Sequence, residues 1–97
     1  MSAYMIALTT VHDPEIYRQY VKVAGPILER YGAKTLNNGK AFEVFEGPVQ
    51  PTRAYIFEFP SREAIDRMYL SPEYKEAIAL RRRGTEVTMI VTDELSA

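Results

Sequence analysis

The sequence predicts an α+β fold of the ferredoxin-like βαββαβ type with an antiparallel sheet. Three observations lead there. Short apolar or alternating runs that read as strands are interrupted by longer stretches whose apolar residues recur every three or four positions. Helix starts are written out as Asp13-Pro14-Glu15, Ser61 and Ser71-Pro72-Glu73. The whole order of strand, helix, two strands, helix, strand fits within 97 residues, the size of one domain, so 1–97 is expected to be a single ferredoxin-like domain.

Tyr4–Thr10 is nearly continuous in apolar and β-branched residues, a strand apolar on both faces. Asp13 can cap the helix that follows, Pro14 suits its first position, and Glu15 favours its positive end. Ile16, Tyr17, Tyr20, Val21, Ala24, Ile27, Leu28 and Tyr31 then fall on one helical face. Pro26 is expected to kink this helix, because the periodicity continues past it. Gly32 stands where a left-handed terminator is wanted. Lys34–Leu36 reads as a short strand, Asn37-Asn38-Gly39-Lys40 as a turn, and Ala41–Glu46 as an alternating strand stopped by Gly47-Pro48. Ala54–Phe59 is the next strand. Ala64, Ile65, Met68 and Tyr69 form the apolar side of a second helix, which Ser71-Pro72 restarts and Tyr74, Ala77 and Ile78 continue to Gly84. Glu86–Thr92 is the last strand.

Composition narrows the function classes. Twelve basic and thirteen acidic side chains give a net charge of −1. No field of one sign favours nucleic acid or an anionic membrane. There is no cysteine, which excludes disulfides, thiolate catalysis and cysteine-ligated metals, and the lone His12 cannot build a histidine-rich metal site. No metal or cofactor is expected. Met1-Ser2-Ala3 runs straight into a strand pattern without a signal-like start, and the apolar runs are far short of a membrane span, so a cytoplasmic location is expected. Helices on one side of the sheet would leave the other side apolar and bare. A second copy packed face to face is the expected remedy, making the chain a homodimer.

Several stretches together carry a resemblance. They are Asp13-Pro14-Glu15-x-Tyr17-x-x-Tyr20, Tyr31-Gly32-Ala33-Lys34, Phe42-Glu43-Val44-Phe45-Glu46-Gly47, Glu58-Phe59-Pro60-Ser61-x-Glu63-Ala64 and Tyr69-x-Ser71-Pro72-Glu73-Tyr74. In these the chain resembles the domain-of-unknown-function family numbered 1330, within the dimeric α/β barrel superfamily. The resemblance covers nearly the whole chain. It implies a ferredoxin-like fold and a homodimer whose sheets meet as a barrel, and it implies no particular reaction. Met68 stands where the family often carries a large aromatic residue.

The candidates for chemistry are few. Arg81 continues the series Tyr74, Ala77, Ile78 at i+7, which puts it on the buried face of its helix, and it matches an arginine usual at that place in the family. It is read either as a stem packed under a solvated head or as a clamp for an anion or carbonyl oxygen. Glu43 and Glu58 sit mid-strand among large apolar residues, as ion-pair partners or as bases of raised pKa. His12 is a third catalytic candidate, and otherwise a surface residue. Tyr17, Tyr20 and Tyr69 are expected to line a ligand pocket between helices and sheet, with Asn37 joining it or serving only the turn. Arg82 and Arg83 are expected on the surface. Two readings follow. One is a protein that binds or converts a small carbonyl-bearing or aromatic molecule without metal. The other is a non-catalytic homodimeric accessory or stress module in which Glu43, Glu58 and Arg81 are consumed in ion pairs. Whether the protein is an enzyme is left open by the sequence.

Overall fold

The computed structural model describes residues 2–94. Its elements are β1 (Ala3–Val11), α1 (Pro14–Arg30), β2 (Lys34–Thr35), β3 (Arg53–Phe59), α2 (Arg62–Leu70), α3 (Pro72–Arg81) and β4 (Thr85–Val91). The strands form one antiparallel sheet in the order β2-β3-β1-β4, the ferredoxin-like topology.

The helix starts use the chemistry read from the sequence. The Asp13 carboxylate accepts from the Glu15 and Ile16 amides at 3.0 and 3.3 Å, with Pro14 in the first turn. Ser61 caps α2 by accepting from the Ala64 amide at 3.0 Å. Ser71 closes one helix and opens the next. Its hydroxyl donates to the Met68 carbonyl at 2.7 Å and accepts from the Tyr74 amide at 3.2 Å. Pro26 lies inside α1 without ending it. At Gly32 the backbone is left-handed, with φ of 90°, and a Cβ there would meet the Pro60 ring at 2.9 Å.

Strand register sorts the side chains between the two faces. Ala3, Met5, Ala7 and Thr9 of β1 point toward the helices, beside Phe59, Phe57, Tyr55 and Arg53 of β3. Val87, Met89 and Val91 of β4 lie on the same face. The core gathers at one end of this layer, where Ala3, Met5, Phe59, Ile65, Met68, Ala77 and Ile27 are all but sealed. On the opposite face lie Tyr4, Ile6 and Leu8, with Ile56 and Ile90 flanking Ile6 in one row. Leu36 extends that row, its amide bonded to the Ile56 carbonyl at 2.9 Å. No described element of the chain covers this face.

The expected strand Ala41–Glu46 is not formed. The Asn37–Lys40 turn is present, with the Lys40 amide bonded to the Asn38 side chain at 2.9 Å. Beyond it the chain is irregular until Arg53. The reason is an absent partner. One edge of β3 pairs with β1, and the other is taken by Lys34, Thr35, Leu36, Asn37 and Gly39 in turn. An alternating sequence has no ladder to join once that edge is filled. Phe45 is accordingly 90% exposed.

Candidate functional site

The first helix lays two rows of side chains over the sheet. Tyr20, Ala24 and Leu28, spaced by four, form an inner row. Tyr17, Val21, Gly25 and Glu29 form an outer row facing β3. Between helix and sheet the residues at mid-height are small, namely Ala24 and Gly25 above and Ala7 below. A layer of large side chains is therefore missing at this level, and a cavity of about 430 Å³ takes its place. Met5, Met89, Phe57 and Tyr55 make its floor, and it opens outward along the outer row.

Its polar end is built by three residues from two helices. Tyr74 is sealed and Arg81 is only 7% exposed. The Arg81 Nη1 donates to the Tyr74 hydroxyl at 3.3 Å, and the Tyr74 and Tyr20 hydroxyls are 2.8 Å apart. The guanidinium carbon also lies 5.7 Å from the centre of the Tyr20 ring, a cation–π contact. Among the described residues no carboxylate lies within ion-pairing distance of Arg81. A charge so far out of water normally takes a carboxylate partner. Here a phenol oxygen and a ring face stand in for one.

The protons along this chain have only one satisfied arrangement. A guanidinium donates and cannot accept, so the Tyr74 oxygen is an acceptor toward Arg81. The Tyr74 hydrogen is sealed from water, and among the described residues its one acceptor within reach is Tyr20. A buried hydrogen left unbonded would be costly. The direction is therefore Arg81 to Tyr74 to Tyr20, and the Tyr20 hydrogen is left free at the polar end of the cavity. The relay ends in a donor. Such an array can bind an acceptor oxygen and can stabilise negative charge developing on it.

The titration behaviour fits this picture. Burial pushes the Tyr74 hydroxyl well above the ordinary phenol range, and the neighbouring Tyr20 adds to the effect. Burial likewise raises Tyr17, reinforced by Tyr55 beside it and opposed by Arg53. For Arg81, burial works against the charge, but Tyr20 and Tyr74 outweigh it and hold the pKa above its usual value. Both phenols are neutral hydrogen-bonding groups, and Arg81 is a fixed cation.

The other sequence candidates lie elsewhere. Glu58 pairs in register with Tyr4 and Lys34 on the open face of the sheet, because strand alternation sends Phe57 and Phe59 to the helix side and Glu58 away from it. Glu43 is exposed in the irregular segment that replaces the expected strand. His12 is exposed at the start of α1, 3.7 Å from Glu86. None of the three reaches the cavity. Asn37 is committed to the backbone. It donates to the Ala54 carbonyl at 2.8 Å and accepts from the Ile56 amide at 2.9 Å, as a strand residue would. Tyr69 stacks at a tilt on Tyr74, ring centres 5.6 Å apart, outside the cavity wall and 37% exposed. Met68 belongs to the sealed core and not to the cavity. Arg82 and Arg83 are exposed.

The sequence reading overlooked Tyr55, Arg53 and Glu29. The signal for the first two was alternation within β3, which places both on the face of Phe57. Glu29 stands four residues beyond Gly25 on the outer row. Among the described residues no group of three or more His, Asp or Glu is placed to hold a metal ion.

A family model described as a domain of unknown function, DUF1330, matches residues 2–95. The chain belongs to the DUF1330 family. A solved structure of RPA0582, a protein of unknown function from Rhodopseudomonas palustris, is 25% identical. It superimposes with a TM-score of 0.80 over 99% of this chain and 84% of that one. SnoaB, a cofactor-independent oxygenase from Streptomyces nogalater, shares the fold at 12% identity, with a TM-score of 0.65 over 99% and 95% of the two chains. A dimeric ferredoxin-like protein of unknown function from Thermobifida fusca does so at 10% identity, with a TM-score of 0.62 over 97% and 92%. No curated protein sequence matches this DUF1330 chain.

The raised phenols set a pH dependence for the fold. In the unfolded chain Tyr17 and Tyr74 ionise near a pH of about 10, whereas the native state holds both protons to higher pH. The native state thus binds more protons above that point. Their contribution to stability is complete below about pH 10 and is lost as pH rises beyond it. Urea unfolding at about pH 9 and about pH 11 checks this. The wild-type midpoint should fall more steeply than that of a Tyr17→Phe/Tyr74→Phe variant, and equal slopes would refute the assignment.

Proposed function

We propose that this protein binds, and through the same contacts activates, a small carbonyl-bearing or aromatic molecule in the cavity between α1 and the sheet. The observation that carries this reading is Arg81, a buried guanidinium with no carboxylate partner, whose hydrogen-bond chain ends in the free donor of Tyr20. The cavity is otherwise lined by apolar and aromatic side chains with few polar groups, the usual make-up of a small-molecule site. A flat ring suits the space between Tyr55, Phe57 and the small residues of α1, and its carbonyl oxygen suits Tyr20 and Arg81. Any conversion would draw on oxyanion stabilisation by this array, since Glu43, Glu58 and His12 are all remote from it and Glu29 stands exposed on the outer row. SnoaB carries out cofactor-independent oxygen chemistry on the same fold, which supports conversion by fold-level analogy alone. The alternative of a module whose Arg81 is consumed in an ion pair gains no support from the contacts of Arg81.

The working unit is proposed to be a homodimer joined sheet to sheet. Leu36, Ile56 and Ile90 are 50%, 39% and 48% exposed in one row across the open face, with Ile6 between them. A patch of this kind on a monomer is costly in water, and a second sheet at roughly 10 Å covers it. The Thermobifida fusca protein and another from Jannaschia sp. are both described as dimeric on this fold.

Two measurements test these proposals. Acetophenone and ethylbenzene have similar shapes and differ in the carbonyl oxygen. Titrated into the protein and followed by NMR, acetophenone is expected to bind about tenfold more tightly, one hydrogen bond's worth. Tyr20→Phe should erase that preference. Equal affinity for the two compounds in the native protein would defeat the site reading. For the dimer, Ile6→Asp should convert the sedimenting species to monomer without loss of helical signal, and a native protein that sediments as a monomer would contradict it.

A further inference from the structure

The cavity does not end at its outer row. Tyr17, Val21 and Tyr55 line it and also line a second depression on the surface, which continues from it past the start of α1. Four cations surround that depression, Arg18 and Lys22 from α1, Lys40 from the turn after β2, and Arg53 from β3, and no acidic residue lines it. In a chain with a net charge of −1 this is a local reversal of sign. Arg18 is partly neutralised by its ion pair with Glu15. Lys22, Lys40 and Arg53 have no ion-pair partner among the described residues. Arg53 is also held in place. Its Nη1 donates to the Thr52 carbonyl at 2.8 Å and its guanidinium carbon lies 6.0 Å from the centre of the Tyr17 ring. Gly39 allows the turn bearing Lys40 to lie against this wall, since a Cβ there would stand 2.2 Å from the Tyr55 ring.

We infer that the ligand of this site is a two-ended molecule, a carbonyl-bearing apolar or aromatic body with an anionic tail, carboxylate or phosphate, held by Arg53 and Lys40 at the mouth. The inference rests on the cavity being a ligand site and adds the class of molecule it takes. The geometry fixes the order of the two ends. Arg81 ends α3 at the polar end of the cavity, whereas Arg53 stands on β3 in the depression outside it. A run of rings joins the two guanidiniums, Arg81 5.7 Å from the Tyr20 ring, Tyr20 6.3 Å from Tyr17, and Arg53 6.0 Å from the Tyr17 ring, a span suited to a ring ketone with a short chain. The two ends also differ in chemistry. Arg81 is sealed behind phenols and meets an oxygen that brings little water with it, whereas the mouth cations are solvated and meet a full negative charge that keeps part of its hydration. A neutral body without a tail leaves the mouth cations unused, and an anion without an apolar body leaves the cavity unfilled.

Three probes test the inference, namely ω-benzoylhexanoate, its methyl ester, and the phosphate monoester of the same length. Calorimetric titration of the native protein is expected to give the two anions about tenfold or greater advantage over the methyl ester, a charge-assisted contact. The advantage should shrink at high salt and disappear in Arg53→Gln/Lys40→Gln, with the ester, which lacks the charge, losing far less affinity than the anions. A larger gain for the phosphate than for the carboxylate assigns the tail to a phosphate ester, and the reverse assigns it to a carboxylate. Equal binding of ester and anions by the native protein overturns the inference and leaves the cavity reading intact. Failure of all three probes to bind overturns both.

Discussion

A guanidinium taken out of water loses several kilocalories per mole of hydration, and the surroundings must return most of it. At Arg81 they do so with the Tyr74 phenol oxygen and the face of Tyr20, not with a carboxylate. Much of the site follows from that substitution. A carboxylate would cancel the charge and close the site as a structural ion pair. Phenols solvate the cation without neutralising it, and they pass its polarisation along to an outward-facing hydrogen. The positive charge thus remains available to whatever enters the cavity. The arrangement also depends on α3 beginning where it does, since Ser71 caps the turn that carries Tyr74. Arg81 is two helical turns further on, on the same side.

The cavity itself comes from residue size. A helix of alternating large residues over a sheet of large residues would fill the space to crystal-like density. Ala24, Gly25 and Ala7 fall opposite one another at mid-height and prevent it. The same stretch of α1 contains Pro26, and the helix runs through it. Small residues at that level widen the gap, and large ones around it, Tyr17 toward the mouth, Tyr20 at the polar end, and Ile27 and Leu28 toward the core, keep the layers joined.

The fold was legible in the sequence because its signals are local. Asp13-Pro14, Ser61, Ser71-Pro72 and Gly32 each act within one turn of chain, and the structure uses all of them. The strand expected at Ala41–Glu46 failed for the opposite reason. Its alternation was real, but whether such a segment pairs depends on a free edge far away in sequence, and β2 with Asn37 and Gly39 already fills that edge. The site was legible only in part. Helical spacing placed Arg81, Tyr17 and Tyr20 toward the sheet. Face assignment within β3 was the missing step, and it decides two things together. It sends Glu58 to the open face, and it brings Tyr55 to the cavity and Arg53 to its mouth. Asn37 was visible as a residue with unusual work to do, but that work is to stand in for a strand residue beside β3.

The Arg81–Tyr74–Tyr20 chain ends in a donor that a ligand oxygen would meet. Infrared difference spectroscopy of bound acetophenone reads that bond directly, since a carbonyl stretch falls in frequency as its oxygen accepts a stronger hydrogen bond. A stretch below the value in water is expected for the native protein, returning upward in Tyr20→Phe. A bound carbonyl absorbing at its value in alkane solvent would contradict it.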